Sequence, residues 1–325
     1  MTMKRRTLLA GGLAFVATPR IVRAQAVNKV WHIGILSLSI SKEFVYYFLL
    51  PSLRDVGYEE GRNLEIDFRF AQGKVDLLPG LAAELVARKP DLLIGPLNQD
   101  VAALRKATST VPIVMLYVSA PVETGLIASL ARPGGNLTGT TTVTPEVAGK
   151  SLQLICEMAP RISSVACLVD PDYPGMDLYW NSASQAATAL GLRAVRVSIR
   201  TPSDLTAALA RLEFDRADAL MVSMTGTLAE DPGRVIEFAA QHKLPALYSI
   251  SAPVYMGGLM SYGQDFTAVH SRVAWMIDKI FNGAKPSDMP VEQPTRFRLV
   301  INAKTAKTLG ITIPQSLLLR ADAVI

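Results

Sequence analysis

Cysteine is nearly absent from this chain: Cys156 and Cys167 are the only two in 325 residues. They form no Cys-x-x-Cys pair and match no metal-ligand spacing. One sits in an apolar helical stretch and the other in an apolar strand. Two separately buried thiols is the simpler reading, because cysteine often serves as a small core hydrophobe; a bridge is the alternative. A chain of this length buries a large core without one. Histidine is as scarce, with His32, His242 and His270 scattered over unrelated segments. There is no His-Glu-x-x-His, no Gly-x-Ser-x-Gly and no phosphate loop. Gly134-Gly135 is a turn, since no Gly-Lys-Ser/Thr follows it. No metal, no cofactor and no catalytic residue is expected. Uninterrupted apolar runs of about 20 residues, the length that spans a bilayer, are also missing.

The N-terminus supplies what the rest lacks. Lys4, Arg5 and Arg6 form a basic region, residues 8–17 an apolar one, and Ala24-Gln25-Ala26 a small-x-small cleavage site. This order is that of an export signal, cut after Ala26; a short anchor helix is the alternative, disfavoured by length. Arg5-Arg6 partly matches a twin-arginine signal, a weak match. No cysteine follows the cut, so a lipid anchor is not expected. The formal charge of +5 resides in this segment. Its five bases (Lys4, Arg5, Arg6, Arg20, Arg23) account for the excess of 33 Lys+Arg over 28 Asp+Glu. The remaining chain is neutral and has no basic tract, which argues against nucleic acid as a partner.

Downstream, short β-rich apolar runs alternate with helical patterns, the signature of parallel α/β sheets. Strands are expected at 31–36, 64–70, 92–95 and 113–117. Helices are expected at 43–56, 77–88 and 100–107, with a short one near 124–130. A second series follows. Its strands are 165–169, 194–199, 219–222, 246–248 and 259–262; its helices are 147–158, 178–190, 205–212 and 234–241. A helix at 267–281, a Pro-rich stretch, a strand at 297–301, a helix at 304–309 and a tail finish the chain. The fold class is α/β, with two doubly wound parallel-sheet lobes joined by a hinge. Residues 27–141 form the first lobe, with 263–290 returning to it. Residues 142–262 form the second, with 291–325 near the hinge. Crossings are expected near 139–142 and 261–263. Parallel sheets bind ligands beyond the carboxyl ends of their strands, so the site belongs in the cleft between lobes.

Several segments carry a family resemblance. Residues 121–139 read Pro-Val-Glu-Thr-Gly-Leu-Ile-Ala-Ser-Leu-Ala-Arg-Pro-Gly-Gly-Asn-Leu-Thr-Gly, preceded by Ala-Thr-Ser-Thr-Val-Pro-Ile-Val at 107–114. Gly-Leu-Met-Ser-Tyr-Gly at 258–263, the stretch 286–301 and Leu-Leu-Leu-Arg-Ala-Asp-Ala-Val-Ile at 317–325 complete the set. The chain resembles the ABC-transporter substrate-binding proteins, a family that includes tryptophan-binding-like members. The resemblance implies a type I periplasmic-binding-protein fold with three hinge crossings. It further implies capture of an amino acid, an aromatic compound or another small solute for a separate membrane permease and ATPase, by a monomer outside the cytoplasmic membrane. The family usually has an acid before Pro-Val, where this chain has Ala120, so an amine contact from that loop is lost. A sensory protein that binds the same solutes without transport would share every cleft residue. A two-thiol racemase would need a thiol on each side of the substrate, and both cysteines fall in one lobe.

The loops after strands give the candidate site. Ser37 and Ser39 follow the first strand, and Ser41 reads as the cap of the next helix. Leu97 and Asn98 follow the third; Asn98 either caps a helix or turns its amide to a ligand. Ser119 follows the fourth. In the second lobe Asp170, Asp172 and Tyr173 offer carboxylates and a ring, with an Asx turn as the alternative for Asp170. Ser223, Thr225 and Tyr248 hold equivalent positions, and Tyr262 lies beside the hinge. The mixture predicts a small polar ligand with an apolar or ring portion, its amine met by Asp170 or Asp172. The exported protein is expected to begin near Val27, which N-terminal sequencing of secreted material checks; an intact Met1 would contradict the signal.

Overall fold

The computed structural model describes residues 29–142, 145–215 and 217–325. The expected export signal and its cut after Ala26 lie outside the described residues. The first half of the chain runs β1 Trp31–Ser37, α1 Lys42–Asp55, β2 Leu64–Phe70, α2 Leu78–Ala87, β3 Leu92–Gly95, α3 Asn98–Ala107, β4 Ile113–Val118 and β5 Leu137–Thr141. The second half begins α4 Pro145–Met158, β6 Ser164–Val169, α5 Met176–Ala189, β7 Arg193–Ser198, α6 Pro202–Asp215, β8 Ala219–Val222, α7 Thr227–Glu230 and α8 Pro232–Gln241. It ends β9 Ala246–Tyr248, α9 Ala252–Tyr255, β10 Met260–Gln264, α10 Phe266–Phe281, β11 Phe297–Ile301, α11 Ala303–Thr308, α12 Gln315–Arg320 and β12 Ala323–Val324.

Two sheets result. The first has the order β2-β1-β3-β4-β5 and is parallel throughout. The second has the order β12-β11-β10-β9-β8-β6-β7, with β10 and β11 its one antiparallel pair. β3, β4 and β8 are buried along their whole length, as unbroken apolar runs covered on both faces should be. Edge strands β2 and β7 are only partly covered and alternate in polarity. α1 and α10 pack on one face of the first sheet, through Val45, Leu49, Val273 and Ile277; α2 and α3 cover the other, through Leu85 and Leu104. The second sheet is sandwiched likewise, with Leu152, Ala183 and Leu317 on one face and Leu205, Val235 and Val254 on the other.

The chain passes between the sheets three times: from β5 to α4, from β10 to α10, and from residue 292 to β11. Before the last passage it lies along β5, where Thr141 N donates to Glu292 O and Glu292 N to Gly139 O, each at 2.9 Å. A bidentate Arg272–Glu292 pair, with both contacts at 2.6 Å, ties this strip to α10.

β5 was not legible as a strand. Its sequence, Leu-Thr-Gly-Thr-Thr, has one apolar residue, yet all five are buried. Burial is tolerated because Thr138 donates to Met289 O and Thr140 to Leu116 O. Gly139 has φ +137°, and a β-carbon there would fall 2.2 Å from Met115 O, so β5 lies against β4 only with glycine at this point. The helix expected at 124–130 is a chain of turns. The four-residue α7 and α9, and α12 in the supposed tail, are too short to show a helical period. Both cysteines are free thiols, with Cys167 buried in the core and Cys156 partly covered.

His270 fastens α10 to β4. It is fully buried, with Nδ1 2.8 Å from Phe266 O and Nε2 3.0 Å from the Tyr117 hydroxyl. Nδ1 therefore carries the proton, and Nε2 accepts from Tyr117. Burial lowers the pKa from 6.5 to about 4. As pH falls the unfolded chain takes up the proton first, so the stability tied to the neutral ring is present above pH 6.5 and lost towards pH 4. Urea denaturation of the parent and His270→Asn at both pH values should show the parent's advantage shrinking by roughly 3 kcal/mol over this window. A constant difference would mean that the buried ring titrates normally.

Candidate functional site

In each sheet the strand order reverses beside the first strand of the lobe, between β1 and β3 and between β6 and β8. Loops leave in opposite directions there and open a crevice at the carboxyl ends. The loops after β1, β3 and β4 face this crevice from the first lobe. Those after β6, β8 and β9 face it from the second.

The first-lobe loops are fixed from within. Ser37 is fully buried; its hydroxyl donates to Ile40 O at 2.7 Å and accepts from Ile40 N at 3.0 Å, so it closes its own turn and is not available to a solute. Ser41 caps α1 by accepting from Phe44 N at 3.3 Å. Ser39 is exposed and Leu97 half-buried. Asn98 is neither a helix cap nor a free amide. It donates to Ser119 O at 2.7 Å and accepts from Ser119 N at 3.0 Å, which pins the loop after β4. Two residues on, the buried carboxylate of Asp100 accepts from Leu38 N at 2.8 Å and Leu97 N at 2.9 Å. One turn of α3 thus ties down all three loops. Burial raises the Asp100 pKa to about 7, against the pull of its two N–H donors. Stability drawn from the protonated acid therefore declines as pH rises from about 4 through about 7.

The second-lobe loops correct several expectations. Asp170 accepts from Asp172 N at 3.0 Å, the Asx turn considered for it. Asp172 is exposed and paired with Arg200 at 2.9 Å. Burial raises the Tyr173 pKa, and the neighbouring Thr142 side chain pulls it the other way. Ser223 is buried, and its backbone N–H donates to Leu168 O. The Thr225 hydroxyl is buried without a partner. Tyr248 is not a cleft residue: it is fully buried among Ile236, Val254 and the rest of the core under α8 and α9. Tyr262 stacks on Phe297, with centroids 5.6 Å apart, and belongs to the β10–β11 pair.

What lies between the lobes is a cavity of about 150 Å³. Ser119, Ala120 and Thr141–Thr142 contribute from one side, and Gly175 and Tyr179 from the other. Glu123 is the only charged residue in its lining among the described residues. Thr141 is almost wholly buried, and its hydroxyl has no hydrogen-bond partner. Gly175 precedes the 14-residue α5 and gives it no side-chain cap; Met176 N donates to Tyr173 O at 3.1 Å, which leaves the N–H groups of Asp177 and Leu178 for an acceptor. Larger hollows lie elsewhere. One of about 880 Å³ is at the amino ends of β6 and β8, lined by Met158 to Ile162, Asp218 and His242; one of about 760 Å³ flanks α10 at Arg272 and Trp275. The first is at the wrong end of its strands for a solute site; the second lies beside the β10-to-α10 passage, where Asp265 follows β10. Among the expected site residues Ser119 lines the cavity. Thr141, Gly175 and Tyr179 were missed; a glycine directly ahead of a helical period, after Pro174, was the available signal. No cluster of three metal-ligating side chains occurs among the described residues.

Residues 45–325 match the family model described as ABC transporter substrate binding protein. The chain belongs to that family. This ABC-type substrate-binding protein is therefore a binder of small molecules, not an enzyme. A tyrosine-binding protein of Clostridioides difficile (strain R20291) is 27% identical over 262 residues, which span 81% of this chain and 75% of the relative. A Streptococcus pneumonia ABC domain solved with L-Trp superposes with a TM-score of 0.82 at 27% identity, covering 91% of this chain and 99% of that one. A ligand-free, open substrate-binding protein with adhesive properties from Clostridium difficile gives 0.71 at 26% identity, with coverage of 91% and 99%. The fold is that of type I periplasmic binding proteins. No helix among the described residues is long and apolar enough to cross a membrane.

Replacing Asp100 by Asn turns one acceptor into a donor that confronts a backbone N–H. The expected loss is about 1–3 kcal/mol, with faster amide exchange at Leu38 or Leu97. Asn98→Ala should release the amide of Ser119 in the same way. Unchanged exchange at these amides would show that the loops hold without α3.

Proposed function

We propose that this protein captures a small solute between its lobes, outside the cytoplasmic membrane, and delivers it to a membrane permease driven by an ATPase. The lobes are 27–141 with 263–290, and 142–262 with 291–325, joined by a hinge at the three passages. The observation that carries the reading is the interlobe cavity, whose lining includes Thr141 with its buried, unpartnered hydroxyl. A buried hydroxyl without a partner costs free energy that a ligand atom can recover. The open N–H groups at the head of α5 suit a carboxylate. Leu130, Leu178 and the Tyr179 ring provide an apolar wall. No Lys or Arg among the described residues lines the cavity, which disfavours a phosphorylated solute.

These features fit an amino acid with an apolar or aromatic side chain. The tyrosine-binding and L-Trp-bound relatives support that class. Of the two solved relatives, equal in coverage, the L-Trp complex superposes better than the open, ligand-free one. That agrees with lobes drawn together around the site. An amine would be met by Glu123 or Asp170; Asp172 is already paired with Arg200. A cavity near 150 Å³ takes about one small ring, so a larger solute requires the lobes to part further.

Native mass spectrometry of the purified protein, followed by calorimetry with L-tryptophan, L-tyrosine and any solute found, tests this reading. Thr141→Val keeps the shape and removes the hydroxyl. It should weaken binding by roughly 2- to 12-fold, the worth of one neutral hydrogen bond of 0.5–1.5 kcal/mol. Parent-like binding by Thr141→Val would place the site elsewhere.

A further inference from the structure

Gly175 is where a bare backbone of the second lobe meets the first. Its φ is +78°, and a β-carbon built on it falls 2.9 Å from Ser119 Oγ and 3.2 Å from Ala120 Cβ. The turn it meets is held rigidly. Asn98 binds both the N–H and the carbonyl of Ser119. Ala120 stands at φ +45°, a left-handed conformation that an L side chain adopts only under constraint. Left-handed backbone favours glycine at residue 175 in any case, and the close approach to the first lobe is a second constraint that other left-handed glycines lack. Gly191, beyond the other end of α5, has φ +71° with nothing within 4 Å of the corresponding position.

We infer that Gly175 is a specificity-determining contact: the lobes close until its bare α-carbon meets the Ser119–Ala120 turn, and the absence of a side chain there sets the depth of closure and the size of solute enclosed. A β-carbon at residue 175 can be met by rotating the Ser119 hydroxyl and a small yield at Ala120, but a longer side chain must push back the Asn98-braced turn or hold the lobes apart. The inference rests on reading the cleft as the solute site, but its first test uses no solute.

That test is the full exported chain carrying Ser119→Cys and Gly175→Cys. The 2.9 Å separation of a residue-175 β-carbon from the residue-119 Oγ resembles the Cβ-to-sulfur spacing across a disulfide with an S–S bond of about 2.05 Å. Mild oxidation should give an intramolecular bridge, seen by gel mobility and peptide mass and reversed by reductant. The single variants and the parent, with only its own Cys156 and Cys167, should show none. A folded double variant that forms no bridge overturns the contact. The second measurement compares Gly175→Leu with Gly191→Leu. Both lose a left-handed glycine and should lower the Tm alike. Only Gly175→Leu should show a radius of gyration in solution scattering above that of the bridged form, while Gly191→Leu stays with the parent. Equal radii for the two leucine variants would refute the closure role. A bridge without solute binding would sink the proposed function and leave this contact standing; solute binding without a bridge would do the reverse.

Discussion

Everything that this molecule offers a solute is decided by strands that are buried on both faces. β3, β4 and β8 have no solvent-facing side, so their side chains are committed to packing, and polar chemistry is left to the strand ends. The parallel arrangement sends the carboxyl ends of β1 to β5 towards one edge of the first sheet and those of β6 to β10 towards one edge of the second. Two such edges face each other here. The cavity at Ser119, Thr141 and Gly175 follows from that geometry rather than from any separate device.

Those edges must still be held still, because a loop that wanders costs entropy at the moment of binding. The first turn of α3 does this for the first lobe. Asp100 spans to Leu38 and Leu97, and Asn98 spans to Ser119, so three loops share one anchor. The second lobe is organised differently. Its loop after β6 is shaped by the Asx turn at Asp170 and by the Asp172–Arg200 pair, which is exposed and contributes little by itself. The preorganised face is the first lobe's, and the second brings an open helix end and an aromatic ring to it.

Much of the fold was legible because apolar runs and helical periods are long in the central strands and in α1, α4 and α10. β5 was not, since its burial depends on threonine hydroxyls bonded to carbonyls that lie distant in sequence, among them Met289 O. The site was less legible still. Sequence position placed Ser37, Asn98 and Tyr248 at strand ends correctly, but it could not say where their polar atoms point. Ser37 spends its hydroxyl on Ile40, Asn98 its amide on Ser119, and Tyr248 turns into the core. Thr141 and Gly175 carry no sequence motif; their significance is a missing partner and a missing side chain, which only coordinates display. The family resemblance succeeded because it draws on long ordered segments rather than on single side chains.

The way the chain weaves between the lobes bears on its biosynthesis. The core under α1 is completed by Val269, Val273 and Ile277 of α10, and the edge of β5 by residues 289–292. These arrive after the whole second lobe has been made. The first lobe, although first to emerge, cannot finish its core until nine-tenths of the polypeptide exists. Contacts of such long sequence separation form slowly. A nascent chain that stays incompletely packed to that point remains threadable, the condition that a translocation channel requires.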